Sequence, residues 1–198
     1  MITYGELFIN KYQKTRSAED INTALKYFDT FMKIRQQYIE QDSSDDKEHF
    51  EIGLAGINRA YFKLYFEIGE YDKAEYYLQQ FENELQKYTL NKNIDSTADS
   101  ASLFRNYGEL RYARGEYSAA INDLLAARRL YELYFSNKYP RIVHALERLS
   151  QCYMKLNMYR EAEVSISEAV EIARALYTDD HPLLNELIVQ KHCIEEKL

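Results

Sequence analysis

Four histidines, two cysteines and a large stock of carboxylates are the residues of this 198-residue chain that could do chemistry. Histidine ligates metals and moves protons, cysteine attacks carbonyl carbons or binds zinc, and paired carboxylates act as acid and base. Here they do not gather. His49, His144, His181 and His192 are scattered along the chain. His192 and Cys193 are adjacent, so on a helix they point about 100° apart and cannot hold one ion together. His181 stands before Pro182 and reads as a helix-start residue; the other histidines read as surface groups. Cys152 lies in "LSQCYMKL", a helical apolar pattern in which a small buried thiol is expected. No phosphate-cradling glycine loop, nucleophile elbow, HExxH or CxxC is present. The carboxylates read as solvated helix faces. The chain is therefore read as non-enzymatic, with no metal and no cofactor.

Bulk composition narrows the partners. The formal net charge is −7, the opposite of what a phosphate-backbone binder carries, so no nucleic-acid partner is expected. Two cysteines do not make a disulfide framework. The opening "MITYGELFINKYQKTR" lacks a charged region followed by an apolar one, and no apolar run approaches the ~18 residues of a membrane span. The expectation is a cytoplasmic protein with no membrane partner. Nineteen tyrosines are many for this length. Many fall at packing positions; the rest leave open an aromatic surface that makes a homo-oligomer.

The elements follow from punctuation and period. Two prolines and six glycines are too few for a protein of many short strands and suit long helices. "GEYDKAEYYLQQF" begins at Gly69; "GEYSAAINDLLAA" follows 46 residues later, and "NMYREAEVSISEA" 42 residues after that. Before the first turn, Tyr61, Leu64, Tyr65 and Ile68 keep three-and-four spacing; after it, Tyr71, Ala74, Leu78 and Phe81 do the same. Gly69 and Gly115 end one helix and allow the next, and Asn157, the next best residue for a left-handed C-cap, takes that place in the third copy. Ala74, Ala120 and Ala162 are equivalent and small, as expected where paired helices approach closely. Pro140 and Pro182, also 42 residues apart, suit helix starts.

This pattern of Gly-x-Tyr-x-x-Ala at the turn, a further alanine and a terminal proline resembles the tetratricopeptide repeat. The 42-residue period and the "DDHP" boundary look like the lengthened repeats of kinesin light chains. The likeness departs at Phe62 and Ser150, where a small residue is usual, and at Arg111, where an aromatic is common. It implies an all-α, right-handed superhelical solenoid of helical hairpins. Three repeats are expected over 51–182, a degenerate first pair over 1–50 and a capping helix over 183–198, as one continuous domain. In the degenerate pair, Ser17 reads as an N-cap with Asp20 completing a capping-box-like start, and Ala24, Phe28 and Phe31 as the equivalents of Ala74, Leu78 and Phe81. "EQDSSDDKEH" (40–49) reads as a charged linker and "NKNIDSTADS" (91–100) as a loop.

The resemblance also implies a concave groove lined by the first helix of each pair, at set distances before the turn. Those positions hold Gly56, Arg59, Ala60, Lys63 and Phe66 in the first repeat, Ser102, Arg105, Asn106, Glu109 and Tyr112 in the second, and His144, Glu147, Arg148, Gln151 and Met154 in the third. Basic groups beside aromatic ones suit an extended peptide carrying carboxylates. Some members of the family hold a peptide's C-terminal carboxylate with Lys, Asn, Asn, Lys and Arg. The matching positions are Arg59, Lys63, Asn106, His144 and Arg148: Asn106 and Arg148 match, Arg59 keeps the charge, and Lys63 and His144 depart. The resemblance thus implies a scaffold for a protein or peptide ligand. The alternative it implies is a bacterial signal-peptide receptor or a regulatory module of a larger protein, although residues 1–50 show no basic helix-turn-helix.

Overall fold

The computed structural model describes residues 2–41, 47–92, 98–135 and 139–198. Positions 42–46 of the expected linker and 93–97 of the expected loop lie outside the described residues. Among the described residues there are nine helices and no strand: α1 (Ile2–Thr15), α2 (Ala18–Gln41), α3 (Lys47–Glu67), α4 (Tyr71–Lys92), α5 (Ala98–Ala113), α6 (Tyr117–Tyr134), α7 (Pro140–Lys155), α8 (Tyr159–Leu176) and α9 (Pro182–Glu195). They form two compact units, Met1–Asn93 and Ile94–Leu198. In the first, α1 pairs with α2 and α3 with α4, and both helices of the first pair touch α3. In the second, α5 pairs with α6 and α7 with α8; α6 packs on α7, α8 on α9, and α5 meets α7.

Three turns share one backbone wiring. Gly69 and Gly115 both have φ +82°, and Asn157 has φ +58°, the left-handed conformation expected at each. In the first turn the Glu70 N–H donates to the Tyr65 carbonyl at 2.9 Å and the Gly69 N–H to Phe66 at 3.1 Å. The same pair of bonds recurs as Glu116 to Arg111 and Gly115 to Tyr112, and again as Met158 to Tyr153 and Asn157 to Met154. This is the Schellman arrangement, which satisfies carbonyls that a helix end would otherwise leave bare. The residue that closes each helix also opens the next: Ala74, Ala120 and Ala162 donate to the carbonyls of Glu70, Glu116 and Met158. No side chain caps α6 or α8.

The three alanines are fully buried, as are Leu78, Leu124 and Ile166 one turn later. On α2, Ala24 and Phe28 are fully buried and Phe31 packs partly against that cluster. Leu184, Leu187 and Ile194 set α9 onto the second unit's core. The position of Phe62 and Ser150 is held by Gly108 in the second repeat, and all three are buried. Arg111, at the other departure, pairs with Asp123 and lies 5.6 Å from the Tyr107 ring centroid.

The start of α2 corrects the capping-box expectation. The Asp20 carboxylate does not turn back to the Ser17 N–H, which donates instead to the Thr15 hydroxyl at 3.2 Å. Asp20 accepts from Lys11 of α1 at 2.8 Å and from Thr15 at 2.6 Å, and these two donors hold its carboxyl below the usual carboxylate range. A tertiary partner has outcompeted the local one. No described helix is long and apolar enough to cross a membrane.

Candidate functional site

Each of the two units carries polar contacts of its own. In the first, α1 and α3 lie side by side, and two polar pairs join them: Lys63 donates to the Asn10 carboxamide at 2.6 Å, and Gln13 to the Glu67 carboxylate at 2.5 Å. Lys63 therefore already has a neutral acceptor. Arg59 is half-buried on the same helix. Phe66 is half-buried too, its ring 5.7 Å from Phe62 and 5.8 Å from Tyr71. It extends an aromatic cluster at the turn.

In the second unit α7 joins α5 at two points seven residues apart on both helices. Arg141 donates to the Ser102 hydroxyl at 2.7 Å, and Arg148 pairs with Glu109 at 2.9 Å. The second junction is the more elaborate. The Arg148 guanidinium lies 4.5 Å from the ring centroid of Tyr112, so the ring faces the cation. Its Nη1 donates to Gln151 at 2.7 Å while Nη2 meets Glu109. Partial burial works against the guanidinium's charge; the Glu109 carboxylate outweighs it and holds the group protonated above its ordinary range. The Tyr112 ring rests edge-on against Tyr117, 5.5 Å away, and is fixed from behind.

On the far side of α7, Gln190 of α9 donates to Glu147 at 2.9 Å and lies 3.5 Å from Gln151. His144 is exposed, with Nδ1 3.8 Å from the Glu147 carboxylate. The His144 ring, against the opposing effect of burial, and the Gln190 amide hold Glu147 below the usual carboxylate range. Side chains of α5, α7 and α9 thus form one polar network: Glu109, Arg148, Gln151, Gln190, Glu147 and His144.

The structure therefore brings Tyr112, His144 and Arg148 of the expected residues into one neighbourhood in the second unit. Arg105 precedes them on α5, half-buried, and donates through Nη2 to the Asn106 carboxamide at 2.9 Å; its Nε is buried without a hydrogen-bond partner. Asn106 is 2% exposed, so it supports Arg105 from within the helix packing rather than standing open on the surface. Gln190 is a member the sequence reading did not name. It lies 42 residues after Arg148, so extending the period by one copy points to it.

Among the described residues no group of three or more His, Cys, Asp or Glu could hold a metal ion. Cys152 is buried among apolar side chains, which pushes its thiol up to about 12 and makes it a poor nucleophile. The arrangement can do what a rigid, π-supported guanidinium flanked by amides does: bind carboxylates and peptide amides.

Residues 99–175 match the family model of the tetratricopeptide repeat, the family the sequence resembles, and such repeats generally serve as protein-interaction scaffolds. No curated protein matches the chain in sequence. Among solved structures the chain is similar to BtubC (BKLC) from P. vanneervenii, with a TM-score of 0.67 at 12% identity, covering 99% of this chain and 82% of that one. It is similar also to the nearly identical TPR-like repeats of a putative kinesin light chain from Podosopora anserina. A substituted form of that protein gives a TM-score of 0.64 at 15% identity, covering 98% of this chain and 84% of that one. A second crystal structure of those repeats gives 0.59 at 16% identity, covering 98% and 94%. At these identities the likeness is one of fold.

Proposed function

We propose that the chain is a non-enzymatic, cytoplasmic interaction scaffold, and that the face shared by α5 and α7 takes an extended peptide bearing carboxylates on its side chains or at its C-terminus. The carrying observation is the seating of Arg148: ring-faced by Tyr112, bonded to Gln151, paired with Glu109, and still 30% exposed. A guanidinium fixed in this way loses little side-chain freedom when a carboxylate docks, and its donors lie in a plane that matches one. Arg105, half-buried on α5, adds a second cation. Arg59, Lys63 and Phe66 make a separate patch of the same chemistry in the first unit. The repeat assignment over 51–182, with 1–50 as a degenerate pair and 183–198 as a cap, belongs to this proposal.

The test is titration of a fluorescein-labelled pool of short peptides, rich in Asp and Glu and ending in a free carboxylate, against the purified chain. Arg105→Glu combined with Arg148→Gln should weaken binding by roughly tenfold or more, the scale set by charge-assisted hydrogen bonds. Far-ultraviolet circular dichroism should show the helices unchanged. Equal affinity of wild type and double variant would remove the face from consideration.

A further inference from the structure

We propose that Glu109 is a built-in competitor for the ligand: it occupies, with its own carboxylate, the guanidinium edge that a peptide carboxylate would take. The inference rests on the peptide-face reading above and assigns it a regulating residue.

The geometry lies within the second unit. Glu109 lies on α5 three residues before Tyr112, so one helix supplies both the ring that faces Arg148 and the carboxylate that closes its edge. The Glu109 oxygen sits 2.9 Å from Nη2, and Gln151 takes Nη1 at 2.7 Å. An incoming carboxylate that seeks both η nitrogens meets one contact already made by each of them. The side chain of Arg148 is 30% exposed and that of Glu109 is 14% exposed. The cation is within reach of solvent, while its present partner is mostly covered. A ligand that takes the Nη2 edge therefore displaces Glu109 rather than filling an empty place.

Two consequences follow from exchange rather than simple addition. A lone carboxylate offers Arg148 nothing that Glu109 does not already give, and it carries the entropy cost of association besides. A peptide that presents a carboxylate together with contacts to Tyr112, Arg105 or Gln190 can prevail, because the internal partner supplies only one of these interactions. Glu109 thus raises the threshold for binding and selects multi-point ligands over single anions. It also keeps the guanidinium neutralised and ordered before a ligand arrives, so the site does not pass through an uncompensated, half-buried charge.

The same labelled peptide pool separates this inference from the reading beneath it. Glu109→Gln keeps the side chain's shape and should tighten binding by roughly three- to tenfold. Glu147→Gln removes one negative charge from the same network without emptying the Arg148 edge, and should yield clearly less. Adding Arg148→Gln to Glu109→Gln should erase the gain. If Arg148→Gln weakens binding but Glu109→Gln tightens it no more than Glu147→Gln does, the competitor is overturned and the peptide face stands. If neither wild type nor Glu109→Gln binds the pool better than Arg148→Gln, both fall together. Should Glu109→Gln lose its helical signal, Glu109→Asp draws the carboxylate back by one methylene and should shift affinity in the same direction; an unshifted or weakened affinity there also overturns the competitor.

Discussion

Gly108 of α5 faces Leu124 of α6 so closely that a methyl group on the glycine would lie 2.6 Å from Leu124 Cγ and 2.8 Å from Cδ2. The two helices are spaced for a hydrogen atom at that point. Gly108→Ala should lower unfolding stability by about 1–3 kcal/mol through overpacking, despite alanine's better helix propensity. Urea denaturation followed by circular dichroism measures this. Leu124→Ala makes room at the cost of a cavity, and the double variant should be more stable than the sum of the single losses predicts.

The left-handed turn positions should respond oppositely to two substitutions. Gly115→Ala forces a β-carbon into φ +82° and should cost about 1 kcal/mol, although open space surrounds the position. Asn157→Gly relieves the same conformation at φ +58° and should be neutral or stabilise by up to about 1 kcal/mol. Melting temperatures of the two variants, compared with wild type, check both signs.

The cysteines should behave as two different reagents. Cys193 is exposed and Cys152 is buried. A thiol-specific chromogen should label Cys193 alone in the native protein and both after denaturation. Burial holds the Cys152 thiol up to about 12. Its unfolded value is near 8.5, so between the two the unfolded chain releases a proton that the folded chain keeps. Stability is then at its full value below about pH 8.5 and declines as pH rises towards 12. Cys152→Ala should show a shallower decline over that window than wild type.

Among the described residues two buried hydroxyls lack a hydrogen-bond partner: Tyr131 Oη and Ser150 Oγ. Tyr131→Phe removes the polar atom and keeps the ring's tilted contacts with Phe135 and Tyr139. Ser150→Ala does the same for the hydroxyl that departs from the repeat pattern. Each should raise stability by about 1 kcal/mol, since no described group offsets the hydroxyl's desolvation. A fall of similar size in chemical denaturation would refute the orphan assignment.

What was legible in the sequence was what local rules decide. Gly69, Gly115 and Asn157 could be placed because a left-handed residue is needed wherever one helix closes onto the next. Pro140 and Pro182 could be placed because they suit a helix's first turn. The helical stripe marked Ala74, Leu78 and Phe81 as core for the same reason. What escaped the sequence depends on neighbours distant along the chain. Asp20 is drawn from its expected cap by Lys11, a residue of the preceding helix. Asn106 reads as a surface amide until its burial in the second unit is seen. Glu109 and Arg148 stand 39 residues apart, and nothing local says that one completes the other. Charge counting placed basic groups on one inferred face; the folded structure shows that Arg148 there is answered by a carboxylate of this same chain.

The unequal spacing of the repeats has a simple origin. α4 has 22 residues and α6 has 18, whereas α5 and α7 both have 16, and the stretches after α4 and after α6 are five residues each. The difference between 46 and 42 is therefore four residues of helix, close to one full rotation at about 3.6 residues per turn. An insertion of that length leaves the oily stripe of the helix almost in phase. A lineage that lengthens this array can do so in quanta of one turn with the punctuation marks untouched, while a gain of two residues would rotate the stripe towards water and be purged. Length variants among homologous arrays should accordingly cluster at multiples of three or four.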